Sequence, residues 1–111
     1  GLNYLLKNSD IITLHLPLIK ETKHIINKKT IALMKPNSIL INTARAELIN
    51  IEDLKDSIDK FKFIAIDFKD EYPDLNHEKI FLTPHIAFKT EDSIKKRFNL
   101  TEKIIKEFLE R

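Results

Sequence analysis

Four apolar stretches of this chain each end in residues able to do chemistry. The run DIITLHL (10–16) closes around His15, with Pro17 after it. SILINTA (38–44) closes on Asn42 and Thr43, and Arg45 follows. KFIAIDF (62–68) carries Asp67, and KIFLTP (79–84) carries Thr83, with His85 next. A permanently charged guanidinium, a carboxylate and an imidazole brought to one place would suit an anionic substrate and acid–base work. Each residue alone also has a plainer reading. His85 is either a proton donor or a loop residue beside Pro84. Arg45 either binds a ligand or pairs with Glu47 on the surface, and Asp67 either faces a site or caps a turn. Their convergence is what separates the two readings, so the elements that carry them have to be placed.

The four runs are rich in Ile, Leu, Phe and Thr and nearly continuous, the pattern of strands covered on both faces in a parallel sheet. Helical signals alternate with them. Asn27 is placed to cap KKTIALMK (28–35), with Ile31 and Met34 on one face and Pro36 beyond its end. Asn50 is placed to cap IEDLKDSIDKF (51–61), whose first turn holds Glu52 and Asp53 and whose stripe is Ile51, Leu54 and Ile58. A third helix is expected after Thr90, with Ile94, Phe98, Ile105 and Phe108 or Leu109 at helical spacing. The opening LNYLLKNS reads as the last turns of a helix entering the first strand. Between the third and fourth runs, KDEYPDLNHE (69–78) is short and turn-like, a loop crossing the C-terminal edge of the sheet. Strand alternating with helix predicts an α/β fold with a mostly parallel sheet of about four strands and flanking helices. In such sheets ligands bind beyond the C-terminal strand ends, where these polar residues fall.

Composition narrows the function. Lys and Arg number 19 against 17 Asp and Glu in 111 residues, without clustering. That balance offers neither a nucleic-acid footprint nor a membrane anchor. Cysteine is absent, which removes disulfides, thiolate metal sites and cysteine nucleophiles. No apolar run reaches the roughly 18 residues of a membrane span, and the expected setting is cytoplasmic. The only glycine is Gly1, where an average chain of this length would hold about seven. A Gly-rich phosphate loop is therefore not encoded here.

Taken together, SDIITLHLPLIKETKHIIN, ALMKPNSILINTARAELIN, IAIDF followed by Pro73, and LTPHIAFKT resemble, in order and spacing, segments of the D-isomer-specific 2-hydroxyacid dehydrogenases. The likeness is to the C-terminal half of the NAD-binding domain. It implies a partial Rossmann fold and an NAD(P)-dependent oxidoreductase that interconverts a D-2-hydroxy acid and its 2-oxo acid. The cofactor implied is NAD, with NADP open. The roles implied are Arg45 for the substrate carboxylate and carbonyl oxygen, and His85 for the proton. Asp67 would meet the nicotinamide carboxamide or its ribose side. Thr43 and Ala44 would line the nicotinamide end, and Pro17 would sit against the cofactor.

Two positions depart from that family. Ala46 follows Arg45 where the family has Gly, a difficulty if the backbone there needs positive φ. Tyr72 precedes Pro73 where the family has its catalytic Glu, and Glu71, one residue away, is the candidate substitute. The Gly-rich fingerprint and the substrate domain would lie upstream of Gly1. Residues 1–111 are thus expected to form a single partial domain, inactive alone. Its first strand would leave an apolar edge of Ile11, Ile12, Leu14 and Leu16 that joins a homodimer or the missing N-terminal half. The competing reading is a non-catalytic, degenerate relative acting as a protein-binding module.

Overall fold

A computed structural model of the chain describes residues 1–68 and 71–83. Each apolar run contains a strand shorter than the run itself: β1 (Ile11–Leu14), β2 (Ile39–Asn42), β3 (Phe63–Ile66) and β4 (Ile80–Leu82). They form one sheet in the order β1-β2-β3-β4, and every neighbouring pair is parallel. The expected α/β architecture, Rossmann-like with four parallel strands and flanking helices, is what the chain adopts.

Three helices lie between or before the strands: α1 (Leu2–Asn8), α2 (Lys28–Leu33) and α3 (Ile51–Lys55). Their apolar residues Leu6, Ile31 and Leu54 share one buried cluster with Ile12, Leu14, Leu40, Ile64 and Ile66. The strand residues of opposite parity, Ile39, Ile41, Phe63 and Ala65, form a second cluster with Phe81 on the other face. Period-two alternation therefore divides the sheet between two cores. β2 and β3 are buried at every position, as their continuous runs predict. β1 differs: Ile12 and Leu14 point inward while Ile11 and Thr13 are exposed. The proposed apolar edge of four residues is thus two exposed residues, Ile11 and Leu16, and two core residues.

The caps explain where the helices begin. Asn27 Oδ1 accepts the amides of Lys29 and Thr30, and Thr30 Oγ1 accepts the Asn27 amide in return. This reciprocal pair satisfies donors that a helix start leaves open. A third, the Lys28 amide, donates to Asp53 Oδ2 at 2.9 Å, tying α2 to α3. Helix α2 stops at Met34, whose ψ of 152° is extended, just ahead of the segment that Pro36 biases away from helix. Lys60 Nζ then donates to the Ile31 carbonyl at 2.6 Å.

Asn50 caps α3 through the Asp53 amide, as expected. The helix does not run on to Phe61, however. It ends at Lys55, turns at Asp56 and Ser57, and resumes as a single 3₁₀ turn over Ile58–Lys60. Leu54, Ile58 and Phe61 are still buried, so the apolar stripe survives the break. In its described part the connection from β3 to β4 is 3₁₀ at Glu71, turns at Pro73 and Asp74, and holds no α-helix. It leaves the rim and packs on the sheet, with Leu75 buried in the first cluster. The helix expected after Thr90 lies outside the described residues, as do Pro84 and His85. Among the described residues no helix is long and apolar enough to cross a membrane.

Candidate functional site

The sheet register sets the site. Leu14, Asn42, Ile66 and Leu82 lie in one row across the four strands. His15, Thr43, Asp67 and Thr83 are consequently the next row, at the common C-terminal rim. Bonds between strand ends lock that row. The Asp67 amide donates to the Asn42 carbonyl at 3.1 Å, and the Thr83 amide donates to the Ile66 carbonyl at 3.0 Å. Thr83 Oγ1 donates to Asp67 Oδ1. Asp67 is buried, at 3% exposure, and its carboxylate is engaged with the neighbouring strand end rather than only capping its own turn.

Over the ends of β1 and β2 an open depression of about 710 Å³ is walled by His15, Leu16, Pro17 and Leu18 on one side. Thr43, Ala44 and Arg45 form the other. The first wall is bent back on itself by Thr22, whose hydroxyl donates to the Pro17 carbonyl at 2.6 Å and accepts the Ile19 amide at 2.9 Å. His15 Nε2 is bonded to Thr13 Oγ1 at 2.6 Å.

The second wall depends on Asn42, a fully buried polar residue in an apolar row. Its Oδ1 accepts the Ala44 amide at 3.1 Å and its Nδ2 donates to the Arg45 carbonyl at 2.8 Å. A buried amide has to be satisfied. Here the partners are the backbone two and three residues on, so the chain must turn sharply after β2. Arg45 stands on that turn with an extended backbone, φ −148° and ψ 139°. Its side chain is exposed, and Nη1 donates to the Ala44 carbonyl at 3.1 Å. The ion pairs among the described residues are Lys35–Asp10 and Lys55–Glu52. The surface pairing of Arg45 with Glu47 is not formed.

Ala46 opens a 3₁₀ turn, Ala46–Leu48. Among the described residues the non-glycine positions with positive φ are His24 and Asn37, so a side chain at position 46 causes no backbone strain. Its methyl is buried in the core cluster. Tyr72 packs against the same cluster, and its hydroxyl donates to the Ala46 carbonyl at 3.1 Å. Burial pushes the Tyr72 phenol up to about 12, with the Glu71 and Glu47 carboxylates adding to the effect. Glu71 is exposed at the start of the same connection. Whether it meets His85 lies outside the described residues.

Pro17, Thr43, Ala44 and Arg45 thus share one depression, Asp67 belongs to the same rim, and Glu71 is not among the residues that wall the depression. Sequence reading named Asn42 within a motif but not as the residue that shapes the turn. The available signal was an Asx residue at a strand end, two positions before Ala44. For Tyr72 no local signal existed, because its partner is 26 residues away.

Residues 1–87 match the family described as D-isomer specific 2-hydroxyacid dehydrogenase, NAD binding domain. The chain is 41% identical over 115 residues to the D-lactate dehydrogenase of Treponema pallidum, covering 85% of this chain and 35% of that protein. It is 35% identical over 116 residues to a hydroxypyruvate reductase of Blautia hydrogenotrophica, covering 97% of this chain and 36% of the relative. Among solved structures, the D-lactate dehydrogenase of Aquifex aeolicus complexed with NAD and lactic acid gives a TM-score of 0.69 at 32% identity. That likeness covers 99% of this chain and 40% of the other. The chain spans about a third of the length of the curated relatives it matches.

Tyr72 generates a pH prediction. Its folded value of about 12 lies above the ordinary 10.0. The stabilisation this represents is therefore complete below the unfolded value, declines as pH rises between the two, and is lost above the folded one. Urea midpoints of the wild type and Tyr72→Phe, from about pH 9 to about pH 11.5, should differ by a constant amount up to about pH 10 and converge beyond it. A difference that stays flat across the whole range would show that folding does not raise the phenol.

Proposed function

Because this chain belongs to the family of D-isomer specific 2-hydroxyacid dehydrogenases, through its NAD-binding domain, we propose that it serves the NAD-dependent interconversion of a D-2-hydroxy acid and its 2-oxo acid. The observation that carries this reading is Arg45, exposed on a fixed turn at the edge of the depression beyond β1 and β2. A guanidinium there can grip a carboxylate with two parallel N–H donors, which fixes the orientation of the acid as well as its position.

The depression fits the nicotinamide end of a dinucleotide. It offers apolar surface from Leu16 and Pro17 and polar groups from Thr43, the mix that small-molecule sites use. With Gly1 as its one glycine, the chain carries no phosphate-cradling loop. The pyrophosphate contacts then come from sequence outside residues 1–111. When bound, the nicotinamide supplies the hydride chemistry. Thr43, Ala44 and Pro17 would pack on it, and Asp67, held by Thr83, would face its carboxamide or ribose side. His85 would hold the proton exchanged with the carbonyl oxygen of the acid, with Glu71 the nearest carboxylate in sequence to the family's catalytic position. NADP remains an alternative to NAD at this reading.

Partners follow from β1. Among the described strands it pairs only with β2, and Leu5, Ile11 and Leu16 beside it are exposed. Open apolar edges recruit further strands. That strand would come from the N-terminal half of the same domain or from a second copy in two-fold pairing.

Two experiments test this. In the complete protein, NADH-dependent reduction of pyruvate and hydroxypyruvate should be measurable, and Arg45→Lys should lower kcat/KM about ten- to more than a hundredfold. That is the range for a lost charge-assisted contact of ~1.5–3 kcal/mol. Unchanged kinetics in that variant would remove Arg45 from the site. The 111-residue chain alone should sediment as a dimer at about tens of micromolar, and Ile11→Lys, an exposed position, should disperse it without unfolding. A monomer indifferent to that lysine would refute the edge pairing.

A further inference from the structure

The turn bearing Arg45 is held from two directions. Asn42 Nδ2 donates to the Arg45 carbonyl, and Tyr72 Oη donates to the next carbonyl, that of Ala46, at 3.1 Å. Each carbonyl also accepts one amide of the 3₁₀ turn: Leu48 to Arg45 at 3.3 Å and Ile49 to Ala46 at 3.2 Å. Those two backbone bonds are long for N–H···O, and a single 3₁₀ winding is a weak structure by itself. The side-chain donors supply what the winding lacks. Asn42 acts from the end of β2, three residues before Arg45, whereas Tyr72 acts from the β3–β4 connection, 26 residues from Ala46. Its ring packs against the cluster that contains Ala46, Leu48 and Leu75, so the hydroxyl has a fixed origin. Tyr72 is not part of the wall of the depression, and it therefore acts through the turn.

We propose that Tyr72 is a positioning residue for Arg45, holding the Ala46 carbonyl so that the guanidinium enters the depression from one direction. The proposal rests on the reading of Arg45 as the carboxylate-binding residue. A binding group held in place before the ligand arrives loses less freedom on binding, which is why a backbone tie one residue from Arg45 matters. The phenol is a donor across the neutral range already at its ordinary value of 10.0, and burial pushes it further up.

Tyr72→Phe removes the hydroxyl and keeps the ring. In the complete protein it should raise the KM for pyruvate roughly two- to tenfold, the range for one neutral hydrogen bond. The KM for NADH and kcat should stay within about twofold, because the tie acts on the acid-binding group alone. The Ile49 amide should exchange faster and the Arg45 amide resonance should move, with Leu40 in β2 unaffected. An Ile49 exchange rate equal to wild type would overturn the proposal whatever the kinetics. Faster exchange with an unchanged pyruvate KM would also overturn it, leaving the bond structural only. If the wild type reduces no 2-oxo acid, the reading of Arg45 fails instead. The exchange and resonance data then still decide whether Tyr72 sets the turn: movement at Arg45 and Ile49 supports it, and none overturns it.

Discussion

One buried amide organises the candidate site. Asn42 closes β2 with no exposed surface, in a row otherwise made of Leu14, Ile66 and Leu82. Leaving such a group unsatisfied costs about 1–3 kcal/mol, so the chain beyond it is obliged to supply a donor and an acceptor. It does so with the Ala44 amide and the Arg45 carbonyl. The turn that results lifts Arg45 to the rim and starts the 3₁₀ winding that leads into α3. A hydrophobic residue at position 42 would suit the core better and leave the rim without a reason to turn.

The rest of the rim is placed by the sheet. Parallel pairing puts all four C-terminal strand ends on one side, and the register aligns His15, Thr43, Asp67 and Thr83 within one row. The two apolar clusters hold that register, because a slip of one residue would exchange the faces of Ile12 and Thr13 and of their partners. Rigid backbone and exposed side chain are thereby combined in Arg45. Its carbonyl is fixed by Asn42, while its guanidinium is exposed beside a depression large enough for a cofactor end and a small acid.

Much of this was legible in the sequence, for identifiable reasons. Continuous Ile-rich runs mark doubly covered strands, and Asn27 and Asn50 mark helix starts because Asn side chains accept backbone amides there. The placing of Pro17, Thr43 and Arg45 at one rim followed from the rule that ligands bind beyond parallel strand ends, and Ala44 joined them through the family resemblance. What was not legible depended on tertiary contacts. Ile11 and Ile12 are the same residue type, and only packing decides that one is exposed and the other is core. The break in α3 after Lys55 leaves the apolar spacing intact, so periodicity could not reveal it. Ala46 raised a concern about positive φ that the 3₁₀ turn removes. Tyr72 was notable as a departure from a family pattern, whereas its bond to Ala46 joins segments far apart in the chain. The role of His85 was read from the family resemblance, and its position lies outside the described residues.

Native-state amide exchange at Ala44 tests the role of Asn42 most directly. Its amide sits in a loop past the end of β2, where exchange would ordinarily be fast. Bonded to the buried Asn42 Oδ1 at 3.1 Å, it should instead be protected to within about tenfold of Ile41 in β2. Asn42→Leu should abolish that protection while Ile41 keeps most of its own. An Ala44 amide that exchanges in the wild type as fast as an open loop would contradict the claim that Asn42 holds the turn on which Arg45 stands.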